Sequence, residues 1–227
     1  MTRYQLLRIA FTVLVRSLAR VEVRGTENVP QDQPFILAVN HLTLLEPPVL
    51  FVVMPIKQIT VFVARKWEDH VAVGWLIRSL EGIFVSRGAI DRQALRTAVN
   101  VLKAGGVIGM APEGTRSLTG GLIRAKPGIA YLAGKADVPI LPVGVSGQLG
   151  YKAAWKRFRR VRMQVNIGPM IVLPPVQGAN RNQQLQQLAD EVMVAIARLV
   201  DPELRGVYTE AVRPAYTEDE PWQFQFE

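Results

Sequence analysis

The sequence predicts an α/β fold: a mixed, largely parallel sheet flanked by helices. From residue 21 onward, short β-branched and aliphatic runs alternate with amphipathic segments of helix length, the pattern of strand–helix–strand units. The 227 residues are enough for one well-buried domain. A composition of 49% hydrophobic and 20% charged residues is that of a globular domain, neither a disordered chain nor a membrane bundle.

The first element is residues 4–19, YQLLRIAFTVLVRSLA. The run is too short and too interrupted to span a bilayer, and it lacks the small-residue cleavage site of a signal peptide. At about 100° per residue, Gln5, Arg8, Thr12 and Arg16 fall within about 80° of one another. Tyr4, Leu7, Phe11, Leu14, Val15 and Leu18 cover much of the rest. The expectation is an amphipathic helix lying in a membrane interface, with Arg8 and Arg16 toward the headgroups. A helix packed on the protein's own core is the alternative.

Strands are then expected at 21–24, 35–39, 59–64, 83–86, 107–111, 140–145 and 161–167, and helices at 48–54, 71–80, 91–103, 128–135 and 181–200. The 91–103 helix is framed by Asp91 in front and Gly105-Gly106 behind. The last helix repeats apolar residues at 185, 188, 189, 192, 196 and 199. The expected organisation is an amphipathic helix over 1–20, one domain over 21–201, and an acidic, aperiodic, partly extended tail over 202–227.

The net charge is +8 and the pI about 10.1, and with acids crowded into the tail the body is more basic still. Such a body suits a polyanionic partner: nucleic acid, an anionic membrane or a phosphate-rich molecule. There is no cysteine, so disulfide and thiolate chemistry are excluded. Two histidines, His41 and His70, leave little room for a multi-histidine metal site. No metal is expected, and His70 has no evident partner.

Three stretches could carry chemistry. In NHLTLLE, 40–46, His41 precedes Glu46 by five positions. On a regular helix those residues point about 140° apart. They meet only if His41 lies in the loop after strand 35–39 and Glu46 opens the next helix, where Pro47 and Pro48 suit a first turn. Glu46 would then orient His41 and stabilise its imidazolium, as a general base requires. Thr43-x-x-Glu46 also reads as a capping box. In EGIFVSRG, 81–88, Arg87 ends an apolar strand. In APEGTRS, 111–117, Glu113, Gly114, Thr115 and Arg116 occupy the turn after strand 107–111. Loops at the carboxyl ends of parallel strands converge on the ligand crevice. A base, two arginines and a glycine turn suit a phosphate monoester. The nucleophile elbow Gly-x-Ser-x-Gly and the common nucleotide-binding glycine loops are absent.

A further stretch, YKAAWKRFRRVRM at 151–163, interleaves bases with Tyr151, Trp155 and Phe158. It suits an anionic bilayer touched by Trp155, Arg157, Arg159 and Arg160, or else single-stranded nucleic acid.

Taken in order, NHLTLLE, GIFVSR at 82–87, PEGTRS at 112–117 and VPILPV at 138–143 resemble the glycerolipid acyltransferases whose best-known members acylate lysophosphatidic acid. The resemblance covers about residues 21–170. Thr43 and Glu46 stand where that family has serine and aspartate. It implies a glycerolipid acyltransferase-like fold and transfer of an acyl group from acyl-CoA or acyl-carrier protein to a lysophospholipid hydroxyl. No cofactor beyond that donor is implied. His41 would be the base and Glu46 its orienting carboxylate. Arg87, Glu113, Gly114, Thr115 and Arg116 would hold the glycerol phosphate, with Lys126 as an extra contact. Gly82, Phe84, Pro139 and Ile140 would wall the acyl site. The expected place is peripheral, on the cytoplasmic face of the cell membrane, with an anionic bilayer and no nucleic acid as partner. The rival readings are another lysolipid acceptor, an aminolipid or glycolipid, and a non-catalytic basic module that binds membrane or nucleic acid.

Overall fold

The computed structural model of the chain describes residues 3–86 and 91–212. Seven strands form one sheet: β1 (Ala19–Arg24), β2 (Phe35–Val39), β3 (Thr60–Ala64), β4 (Ile83–Val85), β5 (Val107–Met110), β6 (Ile140–Ser146) and β7 (Val161–Ile167), in the order β1-β7-β6-β2-β5-β3-β4. The five strands from β6 to β4 run parallel. β7 pairs antiparallel with β6, and β1 follows β7 in parallel. The mixed, largely parallel sheet is therefore the one expected.

Helices α1 (Arg3–Leu18), α2 (Glu46–Val53), α3 (Val71–Ser79), α4 (Arg92–Lys103), α5 (Gly128–Ala136), α6 (Tyr151–Lys156) and α7 (Arg181–Leu199) surround the sheet. Alternation along β2 divides the core in two. Ile36 and Ala38 join the cluster under α4, α5 and α7, while Phe35 and Leu37 join the cluster under α1 and α2. β2 and β6 lie in the middle of the sheet and are apolar nearly throughout. β7 alternates buried and open positions, as a strand covered on one face must. Glycine lets α7 close on β6: a methyl on Gly144 would lie 2.6 Å from Leu199 Cβ and 2.7 Å from the Leu199 carbonyl carbon.

Three expectations change. First, α1 packs as a helix on the protein's own core. Tyr4 and Phe11 meet Phe51 of α2 edge-on at 5.1 and 5.5 Å. Arg8 is not directed to headgroups. Its guanidinium donates to the carbonyls of Val52, Met54 and Ile56, capping the end of α2, which has no basic residue of its own in its last turn. The outward face carries Leu6, Ile9, Val13 and Leu14 instead. Second, α6 lies in the basic–aromatic stretch, where six residues with scattered charge show no helical period. Third, residues 202–212 belong to the domain. Leu204, Tyr208 and Val212 are buried, and the Tyr208 hydroxyl donates to Asp190 at 2.7 Å and accepts from the Ala125 amide at 2.8 Å. The rest of the expected tail, 213–227, lies outside the described residues.

Candidate active site

The loop between β2 and α2 folds around one carboxylate. Glu46, 1% exposed, opens α2 with Pro47 and Pro48 behind it in the first turn. Its Oε1 accepts the amides of Leu42 at 3.1 Å and Thr43 at 2.8 Å, and its Oε2 accepts the Thr43 hydroxyl at 3.1 Å. The same Oε2 lies 3.4 Å from Nδ1 of His41, long for a hydrogen bond and close enough for attraction. The capping box does not form: α2 begins at Glu46 itself, its N-cap is Leu45 with no side-chain hydrogen bond, and the Thr43 hydroxyl accepts from the Leu45 amide instead. The Glu46 carboxylate closes the loop in front of the helix and faces the imidazole. With Nδ1 turned to Glu46, Nε2 is the ring nitrogen left to a ligand, and the side chain of His41 is 21% exposed.

Two neighbours hold this loop in place. Asn40 bridges to β6, donating to Val145 O at 3.0 Å and accepting the Val145 amide at 2.8 Å. Beneath His41 lies Glu113, also 1% exposed, whose Oε2 accepts the His41 amide at 3.1 Å. Oε1 of Glu113 is buried without a hydrogen-bond partner among the described residues. Burial pushes its carboxyl up to about 8, the His41 amide working against the rise and nearby Glu46 adding to it. The amide of Ser117 in turn donates to His41 O at 2.8 Å. The β2 and β5 loops are thus tied to each other through the residue that would act as base.

His41 opens onto a cavity of about 880 Å³. Phe62 and Ala64 of β3, Val85 of β4, Met110 of β5, Leu95 of α4, Tyr131 of α5 and Leu185 of α7 give it apolar walls. Gly114, Thr115 and Lys126 line it beside His41. Gly114 turns at φ 67°, and a methyl there would meet Lys126 Cδ at 2.8 Å, so the lysine chain lies along the glycine. Arg92 and Arg96 line it from α4. Such a space can take a molecule with an anionic group and a hydrocarbon chain together.

The structure thus brings together His41, Glu46, Gly114, Thr115 and Lys126. It separates others. Glu113 lies under the loop and holds its backbone, so the expected contact with the glycerol phosphate is not open to it. Arg116 is exposed and outside the cavity lining. Arg87 lies outside the described residues. Pro139 and Ile140 do not wall the cavity: Ile140 pairs with Ile36 at the start of parallel β6, the opposite end of the sheet from His41. Phe84 points to the face of β4 opposite Ile83 and Val85, of which Val85 lines the cavity. Gly82 serves packing, since a methyl there would lie 2.6 Å from Ile77 Cγ2. Trp155 donates from Nε1 to Leu18 O at 3.0 Å, fastening α6 to α1. Arg157, Arg159 and Arg160 are exposed, as is Arg16, whose carbonyl accepts from Arg160. The cavity's strand-end residues, with Arg92, Arg96, Tyr131 and Asn182, went unnoticed in the sequence. The signal for the strand-end members is their position at carboxyl ends of parallel strands. Among the described residues no three His, Asp or Glu side chains cluster as metal ligands would.

The Acyltransferase family profile matches residues 20–146. The chain is 29% identical over 199 residues to the 1-acyl-sn-glycerol-3-phosphate acyltransferase alpha of Bos taurus, covering 82% of this chain and 66% of that protein. It is 28% identical over 185 residues to the 1-acyl-sn-glycerol-3-phosphate acyltransferase of Pseudomonas aeruginosa, covering 78% and 70%. The chain thus spans just under two thirds of the bovine relative. In fold it is similar to the crystal structure of the 1-acyl-sn-glycerophosphate acyltransferase from Thermotoga maritima, with a TM-score of 0.64, 23% identity, and coverage of 94% of this chain and 83% of that one.

Proposed function

The chain belongs to the acyltransferase family, and from that premise we propose that it moves a fatty acyl group from a thioester, acyl-CoA or acyl-carrier protein, to the free hydroxyl of a lysophospholipid. Lysophosphatidic acid, giving phosphatidic acid, is the acceptor the named relatives support. The carrying observation is the His41–Glu46 pair on a cavity lined by both cations and hydrocarbon.

The chemistry then runs as follows. Nε2 of His41 takes the proton of the acceptor hydroxyl as its oxygen attacks the thioester carbonyl. Glu46 holds the ring by Nδ1 and offsets the imidazolium charge. The carbon–sulfur bond breaks, the thiolate recovers the proton from His41, and the new ester leaves. No covalent bond to the protein forms. Lys126, Thr115 and the Gly114 turn hold the acceptor phosphate beside the base.

The acceptor and product are membrane lipids, and the surface suits peripheral attachment. α1 presents Leu6, Ile9, Val13 and Leu14 outward. Phe158 stands fully exposed at φ 52° among Arg157, Arg159 and Arg160. Because β7 opposes β6, this cluster lies at the same end of the sheet as the loop bearing His41. Aromatic tips among arginines suit an anionic bilayer. Among the described residues no helix is long and apolar enough to cross one.

A mass-spectrometric screen of lysolipid acceptors against acyl-CoA and acyl-carrier donors, run on the purified protein, tests this. Thioester-dependent phosphatidic acid is expected, and none from a folded His41→Ala variant. Transfer to a different lysolipid alone would move the acceptor; full activity in His41→Ala would remove His41 as base.

A further inference from the structure

We propose that Arg92 and Arg96 of α4 form a second anion subsite in the cavity, one that takes a phosphate ester of a substrate. This rests on the acyl-transfer reading for the identity of the ligand and on the geometry alone for the subsite.

Both arginines line the cavity, and among the described residues neither side chain makes a hydrogen bond or ion pair. Four positions apart on one helix, they stand side by side, about 5–6 Å between Cβ atoms. Both side chains are exposed, so water partly screens the charge they bring together. Like charges at this spacing repel, and Arg92 is the first residue of α4, at the positive end of the helix dipole that the N-cap Asp91 faces. Among the described residues the sole carboxylate in the lining is Asp91, the N-cap of α4, and it is engaged with backbone amides and Arg65, not with Arg92 or Arg96. Oδ1 accepts the Ala94 amide at 3.0 Å, Oδ2 accepts the Ser86 amide at 3.1 Å, and Oδ2 lies 3.6 Å from Arg65. Those amide bonds, with Arg65 beside them, hold the Asp91 carboxyl below the usual carboxylate range. The cavity therefore carries uncompensated positive charge on the α4 wall, separate from the Lys126 and Gly114 grouping on the β5 loop. Two guanidinium forks beside an apolar space suit a phosphate ester attached to a longer chain.

Either substrate could supply that ester: the acceptor through its phosphomonoester, or the donor through the phosphates of coenzyme A or phosphopantetheine. The test compares wild type with the double variant R92Q/R96Q and with R92K/R96K, each first shown to melt at the wild-type temperature. KM is measured separately for lysophosphatidic acid, for monoacylglycerol, for acyl-CoA, and for an acyl thioester of N-acetylcysteamine, which has no phosphate. The expected result is a rise of about tenfold or more in one KM in R92Q/R96Q, with kcat within about threefold and partial recovery in the lysine pair. A rise with acyl-CoA and not with the truncated thioester assigns the subsite to the donor. A rise with lysophosphatidic acid and not with monoacylglycerol assigns it to the acceptor. Unchanged KM for all four overturns the subsite while leaving the acyl-transfer reading standing. If wild type catalyses no transfer, calorimetric binding of coenzyme A and of lysophosphatidic acid still decides: weaker binding in R92Q/R96Q supports the subsite, and equal binding ends it.

Discussion

Glu113 supports His41 from below: its Oε2 accepts the His41 amide at 3.1 Å, in a place where only 1% of Glu113 meets solvent. Burial raises this carboxyl from 4.5 to about 8. Between those values the folded chain binds a proton that the unfolded chain has released. The contribution to stability is therefore full below about pH 4.5, declines as pH rises, and is gone above about pH 8. Melting temperatures of wild type and Glu113→Gln from pH 4.5 to 9 measure this. The difference should move against wild type across that window and level off above it; a pH-independent difference refutes the protonated carboxyl.

Glu46 should show two separable losses. Glu46→Ala leaves the Leu42 and Thr43 amides without their acceptor, at about 1–3 kcal/mol for each buried group. Glu46→Gln keeps an acceptor oxygen and loses the charge facing His41. It should stay closer to wild type in urea unfolding while kcat falls by on the order of 10²-fold. Equal kcat in wild type and Glu46→Gln would reduce Glu46 to its role in closing the 42–46 loop.

The turn at Gly114 should resist a side chain. Alanine there meets a left-handed φ of 67° and the chain of Lys126 at 2.8 Å, with a backbone cost of about 1–2 kcal/mol. Gly114→Ala is expected to raise the acceptor KM more than Lys126→Ala does, because it displaces the lysine and distorts the turn. Acceptor titrations at saturating donor compare the two.

Arg8 and the outer face of α1 should part ways. Arg8→Ala should cost about 1–3 kcal/mol by removing charged hydrogen bonds to the end of α2, with vesicle binding little changed. Leu6→Ser with Val13→Ser should do the reverse, lowering sedimentation with anionic vesicles at near-constant melting temperature. Unaltered vesicle binding in the serine pair would put the membrane contact elsewhere.

Much of the fold was legible residue by residue. Among the described residues, the seven strands and six of the seven helices fall within a few residues of where periodicity, caps and glycine pairs put them. Those signals are local, acting over one or two turns. α6 was missed because six residues carry no period. In the site, His41 and Glu46 were readable because the prolines force the loop-to-helix change between them. Arg8 misled, because a polar edge on an amphipathic helix reads alike whether it meets headgroups or the open carbonyls of another helix.

By itself the sequence determined the order of elements, the loop carrying His41 and the turn carrying Gly114, since each depends on near neighbours in the chain. Only the tertiary structure decided which distant segments share an edge. Strand order and direction set Glu113 beneath His41, bring Arg92 and Arg96 of α4 to the same cavity, and send Pro139 and Ile140 to the far end of the sheet. The physical reason is that a strand's two ends lie many ångströms apart. Whether a residue can reach His41 depends on which way its strand runs, and a hydrophobic pattern reads the same in either direction.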